Sequence, residues 1–174
     1  ISPAHGVGLA SLVLGGLAMW PAVFLASLSH QLIIGASWIS LIGFPIVNTI
    51  QAFVGAYVLK KVGFDGLLGR RRDVFSFMFV SLLVSMIVPT AGFGIRAIDR
   101  WLTDALPLTV NWGTWWAGTL LSILVVGSFL VRWITKPNFN PRTRMQAAEM
   151  IMAMVLLVGI TLPLYWSDNV RLAG

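Results

Sequence analysis

The sequence predicts an all-α, polytopic transmembrane bundle with about six spans in 174 residues. Composition is the first observation behind this. The chain is 57% hydrophobic and only 10% charged, against about 25% charged in a soluble domain. Charge placement is the second. Basic residues cluster between long apolar runs, a pattern that orients a membrane protein rather than one that covers a face for nucleic acid. The third is Asn111–Trp133, uncharged from 105 to 131, with Trp112, Trp115 and Trp116 at one end and Arg132, Trp133 and Lys136 at the other. At 1.5 Å per residue, about 20 such residues cross a hydrocarbon core of roughly 30 Å. Indole rings concentrate at the membrane interface because they are apolar with one polar N–H.

In chain order, the first two apolar segments are Gly6–Ala18 and Pro21–Ile34. Both are short for a full crossing. Met19-Trp20-Pro21 separates them as a tight hairpin, with Pro21 suited to a first helical turn where its missing N–H costs nothing. The third segment, Ser37–Leu59, ends on Lys60-Lys61. The fourth, Val74–Ile95, contains Pro89, which should kink it. The fifth is Asn111–Trp133, and the sixth is Ala147–Trp166. The loops at 60–73 and 132–144 and their flanks hold nine basic residues against three acidic ones, whereas the remaining loops hold three of each. The excess assigns the two basic loops to the cytoplasm.

Polar residues inside these runs are the candidates for function. Asn48 and Gln51 are three apart at the middle of the third segment and share a helix face. Thr119 shares a face with Trp112 and Trp116, and Gly118-xxx-Ser122 permits close helix approach. Such groups must find partners, because lipid supplies none. They either hydrogen-bond between helices or line a pocket. The pocket would lie between the second, third and fifth segments, formed by Asn48, Gln51, Trp112, Trp116 and Thr119 with His30 and Gln31 above. His5 and His30 are the only histidines. A hairpin would place both toward the outer face, within a few ångströms in depth. With no cysteine, no zinc spacing, no nucleotide loop and no nucleophile elbow, the sequence offers no catalytic or metal set and implies no cofactor.

Four stretches carry a family likeness: Ser-Pro-Ala-His-Gly-Val-Gly-Leu-Ala at 2–10, Leu-Ala-Met-Trp-Pro-Ala-Val-Phe-Leu-Ala at 17–26, Val-Asn-Thr-Ile-Gln-Ala at 47–52 and Trp-Trp-Ala-Gly-Thr-Leu-Leu-Ser-Ile-Leu at 115–124, with Arg-Arg-Asp-Val at 71–74. Over roughly 1–137 the chain resembles the membrane-associated sensor domain of the first type, the MASE family. The resemblance implies a non-catalytic input module of the bacterial inner membrane. Such a module is fused to a cytoplasmic histidine kinase or cyclic di-GMP enzyme, answers an unknown small molecule or membrane state, and can pair as a homodimer. It also implies a further helix upstream, so that 1–174 reads as one sensor domain truncated at both ends. Relatives often carry glutamate at the position of Gln51 and aspartate at that of Thr119; here both are neutral, which keeps hydrogen bonding without a buried charge. The expected partners are the lipid bilayer and the fused signalling domain, with no nucleic acid. The competing reading is a small-molecule transporter or channel subunit.

Overall fold

The computed structural model describes residues 2–66, 68, 70–103 and 111–135. Among these every regular element is helical. Helix α1 spans Ala4–Gly15 and is followed by a 3₁₀ turn at Leu17–Met19. Helix α2 is Trp20–Ile33, with Pro21 in its first turn as expected. It closes through Gly35 in the left-handed region, φ 65°, while Ala36 N–H reaches back to Gln31 C=O at 3.0 Å. Helix α3, Trp38–Lys61, starts on Ser37, whose hydroxyl accepts from Ser40 N–H. Helices α4, Arg71–Val84, and α5, Ile87–Thr103, follow each other almost without interruption. The break at Ser85–Met86 stands four residues before Pro89, where a proline removes the donor to residue 85 and crowds its carbonyl. The helix is thus interrupted where Pro89 is expected to act. The last described rod is α6, Trp112–Leu121, a widened π-type stretch at Ser122–Gly127, and α7, Ser128–Thr135.

Three of these rods, Trp38–Lys61, Arg71–Leu102 and Trp112–Thr135, are long and apolar enough to cross a membrane. Helices α1 and α2 are apolar but shorter. The sixth expected segment, Ala147–Trp166, lies outside the described residues.

Which side chains face inward makes the case for lipid. On α3 an exposed stripe reads Ile42, Ile46, Ile50, Phe53 and Tyr57, while Ser40, Thr49 and Gln51 are buried. On α4 Phe75, Met78, Phe79, Leu82 and Leu83 are exposed, while Asp73 and Ser81 are buried. Polar groups inside and large apolar groups outside invert the arrangement of a soluble protein. Together with three crossing-length helices, this marks the chain as a membrane protein.

The core is built around α1. Leu9 and Leu12 pack with Ala52, Ala56 and Leu59 of α3, with Phe77, Val80 and Val84 of α4, and with Ile123 of the π stretch. Leu59 ends α3 beside Lys60 and Lys61, and Gly66 lies against Thr135 at the end of α7, so these termini share one basic end. Ser37, Asp99 and Trp112 belong to the opposite, aromatic end. There Asp99 accepts from Ser37 Oγ at 2.7 Å and Ser40 Oγ at 3.1 Å, while Trp112 Nε1–H donates to Thr90 at 3.3 Å.

Candidate functional site

The site forms where the first turn of α1 meets the middle of two long helices. Helix α1 runs parallel to α3: a methyl on Gly55 would strike Leu9 Cδ1, and Leu12 packs near Leu59. Working back one turn from the Gly8–Ala52 and Leu9–Gly55 contacts sets His5 beside Gln51. Gln51 stands 13 residues into α3, about 20 Å from its aromatic end and about 15 Å from its basic end. On the other flank, Gly6 N–H donates to Ser122 Oγ at 3.0 Å. Ser122 begins the π stretch, near the middle of the 112–135 rod. The approach is closer than any side chain would allow. A methyl at Gly6 would overlap Ser122 C=O and come within 2.8 Å of Gly127 N and 2.9 Å of Val126 Cβ.

Gln51 and Thr119 are both buried, with α1 packed against the rods that carry them. Helices α3 and α6 run the same way, and α1 packs against both α3 and the π stretch. Thr119 is 2% exposed and its hydroxyl donates to Trp115 C=O at 3.0 Å. Gln51 is 3% exposed, and its Nε2 has no hydrogen-bond acceptor. Asn48 turns to α2 instead, donating from Nδ2 to Ser27 Oγ at 2.8 Å, while its Oδ1 is buried without a donor. This is the interhelical bond that the sequence allows as one of its two readings.

The remaining candidates lie toward the aromatic end. Gln31 is buried and donates to Ser40 C=O at 3.0 Å; exposed His30 approaches its Oε1 through Nδ1 at 3.3 Å. Since Ser40 and Gln51 are 11 residues apart on α3, His30 and His5 differ by about 16 Å in depth. The expectation that both histidines sit at the outer face thus fails for His5. The cause is the displacement of α1 toward the basic end, where Leu12 reaches Leu59. Trp112 and Trp116 stack with ring centres 6.0 Å apart, and Trp116 Nε1 is buried without an acceptor. Trp115, rather than either of these, closes the space between α3 and α5. It contacts Phe44 and Phe93, lies within 2.5 Å of where a Gly92 methyl would stand, and carries the Arg96 guanidinium 5.6 Å from its ring centre.

Four features escape the sequence reading. Gly6, Ser27 and the π stretch form or complete the polar contacts at mid-depth. The fourth is Asp73, counted there as a loop acid but 1% exposed in the first turn of α4, with Oδ2 unpaired. A carboxylate in a first turn faces the positive end of the helix dipole. A glycine inside an apolar run was the one available sign for Gly6. Among the described residues, no group of three or more histidine or acidic side chains could hold a metal ion. Two open grooves lie elsewhere. One of about 350 Å³ is lined by Trp20, Thr49, Ile50, Phe53 and Val54; the other, also about 350 Å³, follows the end of α1 to Lys60 and Phe64.

No family model, curated protein or solved structure matches the chain.

Proposed function

We propose that this chain is the membrane-embedded sensory input module of a bacterial signalling protein, passing a change in helix packing to a fused cytoplasmic histidine kinase or cyclic di-GMP enzyme. The observation that carries the reading is the polar junction at mid-depth, where His5, Gly6, Gln51 and Ser122 join α1, α3 and the π stretch. A purely structural bundle needs no unpaired amide there. A buried polar group without a partner costs about 1–3 kcal/mol. π stretches cluster at functional positions because the extra residue frees backbone groups and alters the helix phase. A stimulus that binds one packing of this junction better than another shifts the population, and a rod such as α6–α7 carries the shift to its basic end.

The arrangement of sides in this proposal follows the charges. The basic loops 60–73 and 132–144 face the cytoplasm of an inner-membrane protein with about six spans. The domain covers 1–174. It receives and relays, with the bilayer and the output domain as its partners and any reaction left to the output enzyme. In the complete protein, Gln51→Leu should leave insertion and expression near wild type and abolish the response of the output enzyme to its stimulus. A Gln51→Leu protein with full, stimulus-dependent output would refute the assignment.

A transporter is the second reading. It is favoured by the α4–α5 break, since broken helices surround transporter sites. Stimulus-independent solute uptake by the chain in proteoliposomes would select it over the sensory reading.

A further inference from the structure

We propose that the groove between the ends of α1 and α3 is a headgroup site for a phospholipid bearing a primary amine, in the leaflet at the basic end. The proposal goes beyond the sensory reading and needs only that the chain lies in a membrane. It begins with how three helices end. Helices α2 and α3 each close on a left-handed glycine, Gly35 and Gly63. In both, two N–H groups turn back onto the last carbonyls. Gly35 donates to Leu32 at 3.1 Å and Ala36 to Gln31 at 3.0 Å; Gly63 donates to Lys60 at 3.1 Å and Phe64 to Leu59 at 3.0 Å. Helix α1 also runs out on glycine, but Gly16 has φ 86° and ψ 163°, which carries the chain away from the last turn. Among the described residues its N–H makes no bond back to α1, and its C=O accepts from Met19 N–H at 3.1 Å in the turn that follows. No basic residue stands in the last turn of α1. The terminal carbonyls of α1 therefore keep acceptor capacity, at the negative end of the helix dipole.

The groove lies at this uncapped end. It holds about 350 Å³ and runs from Leu12 and Gly15 to Ala56, Lys60 and Phe64, a size in the range of ligand pockets. Lys60 is the one lining residue with a polar side chain, so the remaining polar wall is main chain. Phe64 is fixed as a wall by stacking on Phe77, with ring centres 5.7 Å apart. Depth decides the source of the ligand. Leu59 and Lys60 occupy the last turn of α3, where the apolar run gives way to Lys60-Lys61 and the basic loop. That is the level of lipid headgroups. A molecule seated there meets three surfaces. Carbonyl oxygens take N–H donors, the Lys60 ammonium takes an anion, and Leu12, Ala56 and Phe64 take hydrocarbon. A phospholipid with a primary ammonium presents these groups in sequence: ammonium, phosphate, acyl chain. A quaternary ammonium has no N–H for the carbonyls, and a headgroup of hydroxyls alone brings no positive charge to the helix end.

The test uses the purified chain in detergent micelles at pH 7.5 with equimolar phosphatidylethanolamine, phosphatidylcholine and phosphatidylglycerol, bound lipid being counted by native mass spectrometry. Phosphatidylethanolamine should bind ahead of both competitors, and its affinity should fall with each methyl group added to the amine. Lys60→Gln should weaken it about fivefold, the scale of an exposed ion pair. Lys61→Gln, at the exposed neighbour outside the groove, should leave it unchanged. Both lysines are exposed, so neither variant endangers the fold. Equal or stronger retention of either competitor overturns the site. So does an equal loss in Lys60→Gln and Lys61→Gln, the mark of a diffuse basic surface. Soluble glycerophosphoethanolamine should compete weakly; displacement of the lipid at equal concentration would make the ligand a solute and overturn the lipid assignment. Any of these failures leaves the sensory reading standing, because that reading is tested separately by the response of Gln51→Leu in the complete protein.

Discussion

Replacing Gly6 by alanine should be among the most damaging single-methyl changes in this protein. The methyl would overlap Ser122 C=O and stand 2.8 Å from Gly127 N and 2.9 Å from Val126 Cβ. Two of these three neighbours are backbone and cannot rotate away, so α1 must move off the π stretch. Overpacking of this kind costs about 1–3 kcal/mol. The displacement also stretches the 3.0 Å bond from Gly6 N–H to Ser122, worth about 1 kcal/mol. Alanine's better helix propensity returns up to about 1 kcal/mol. The net expectation is a loss of about 2 kcal/mol. Two glycines calibrate it. A methyl at Gly8 makes ordinary contacts, 3.4 Å to Val23 and 3.7 Å to Ala52, so Gly8→Ala should be nearly neutral. Gly94 has open space around it in α5, so Gly94→Ala should stabilise by up to about 1 kcal/mol. Reversible unfolding of the three variants in mixed micelles, followed by tryptophan emission, measures the differences. Equal stability of Gly6→Ala and Gly8→Ala would show that α1 does not press on the π stretch and would refute the junction.

Two further predictions address sidedness and the bonds between helices. Cysteines placed singly at exposed Lys61 and exposed Trp101 of this cysteine-free chain should react with an impermeant thiol reagent from opposite sides, Trp101→Cys from outside intact cells. Labelling of Lys61→Cys from outside would reverse the topology. Asn48→Leu should cost about 1 kcal/mol, and a double-mutant cycle with Ser27→Ala should return a coupling of about 0.6–2 kcal/mol for their 2.8 Å bond; a coupling near zero would show that α2 and α3 are held by packing alone.

Much of this fold is legible in the sequence because lipid enforces simple rules. Uninterrupted apolar length gives the three long rods. Pro21 and Pro89 act locally, so the start of α2 and the break between α4 and α5 follow from their missing N–H groups. The depth of Gln51 and Thr119 can be counted along their own helices. What the sequence conceals is relative position. The run from Gly6 to Ala18 carries no charge or aromatic belt to mark its depth, so nothing in it reveals that α1 starts beside Gln51 rather than at a membrane face. The π stretch is also silent, because an extra residue in a turn of Ser-Ile-Leu-Val-Val-Gly changes hydrogen-bond partners without requiring any special side chain. Asp73 follows three arginines and reads as solvated, yet the fold buries it against the bundle, a choice made by tertiary packing after local charge pattern has had its say.

These concealed features belong together. Gly6 and Gly127 let two backbones approach within about a van der Waals contact, a methyl on Gly127 standing 3.5 Å from Gly6 C=O. At that range a regular turn and a widened one present different carbonyls and different side-chain phases to α1. Ser122 is held in the observed phase by a single hydrogen bond, and Thr119, one turn earlier, is held to its own helix by another. Each is worth about 1 kcal/mol, an amount that a modest ligand can match. A tightly filled apolar junction would instead lock one packing at a cost of several kcal/mol to repack. On the sensory proposal, the polar middle would set a small gap between two arrangements of the α6–α7 rod, and a signal needs a gap of that size in order to be reversible.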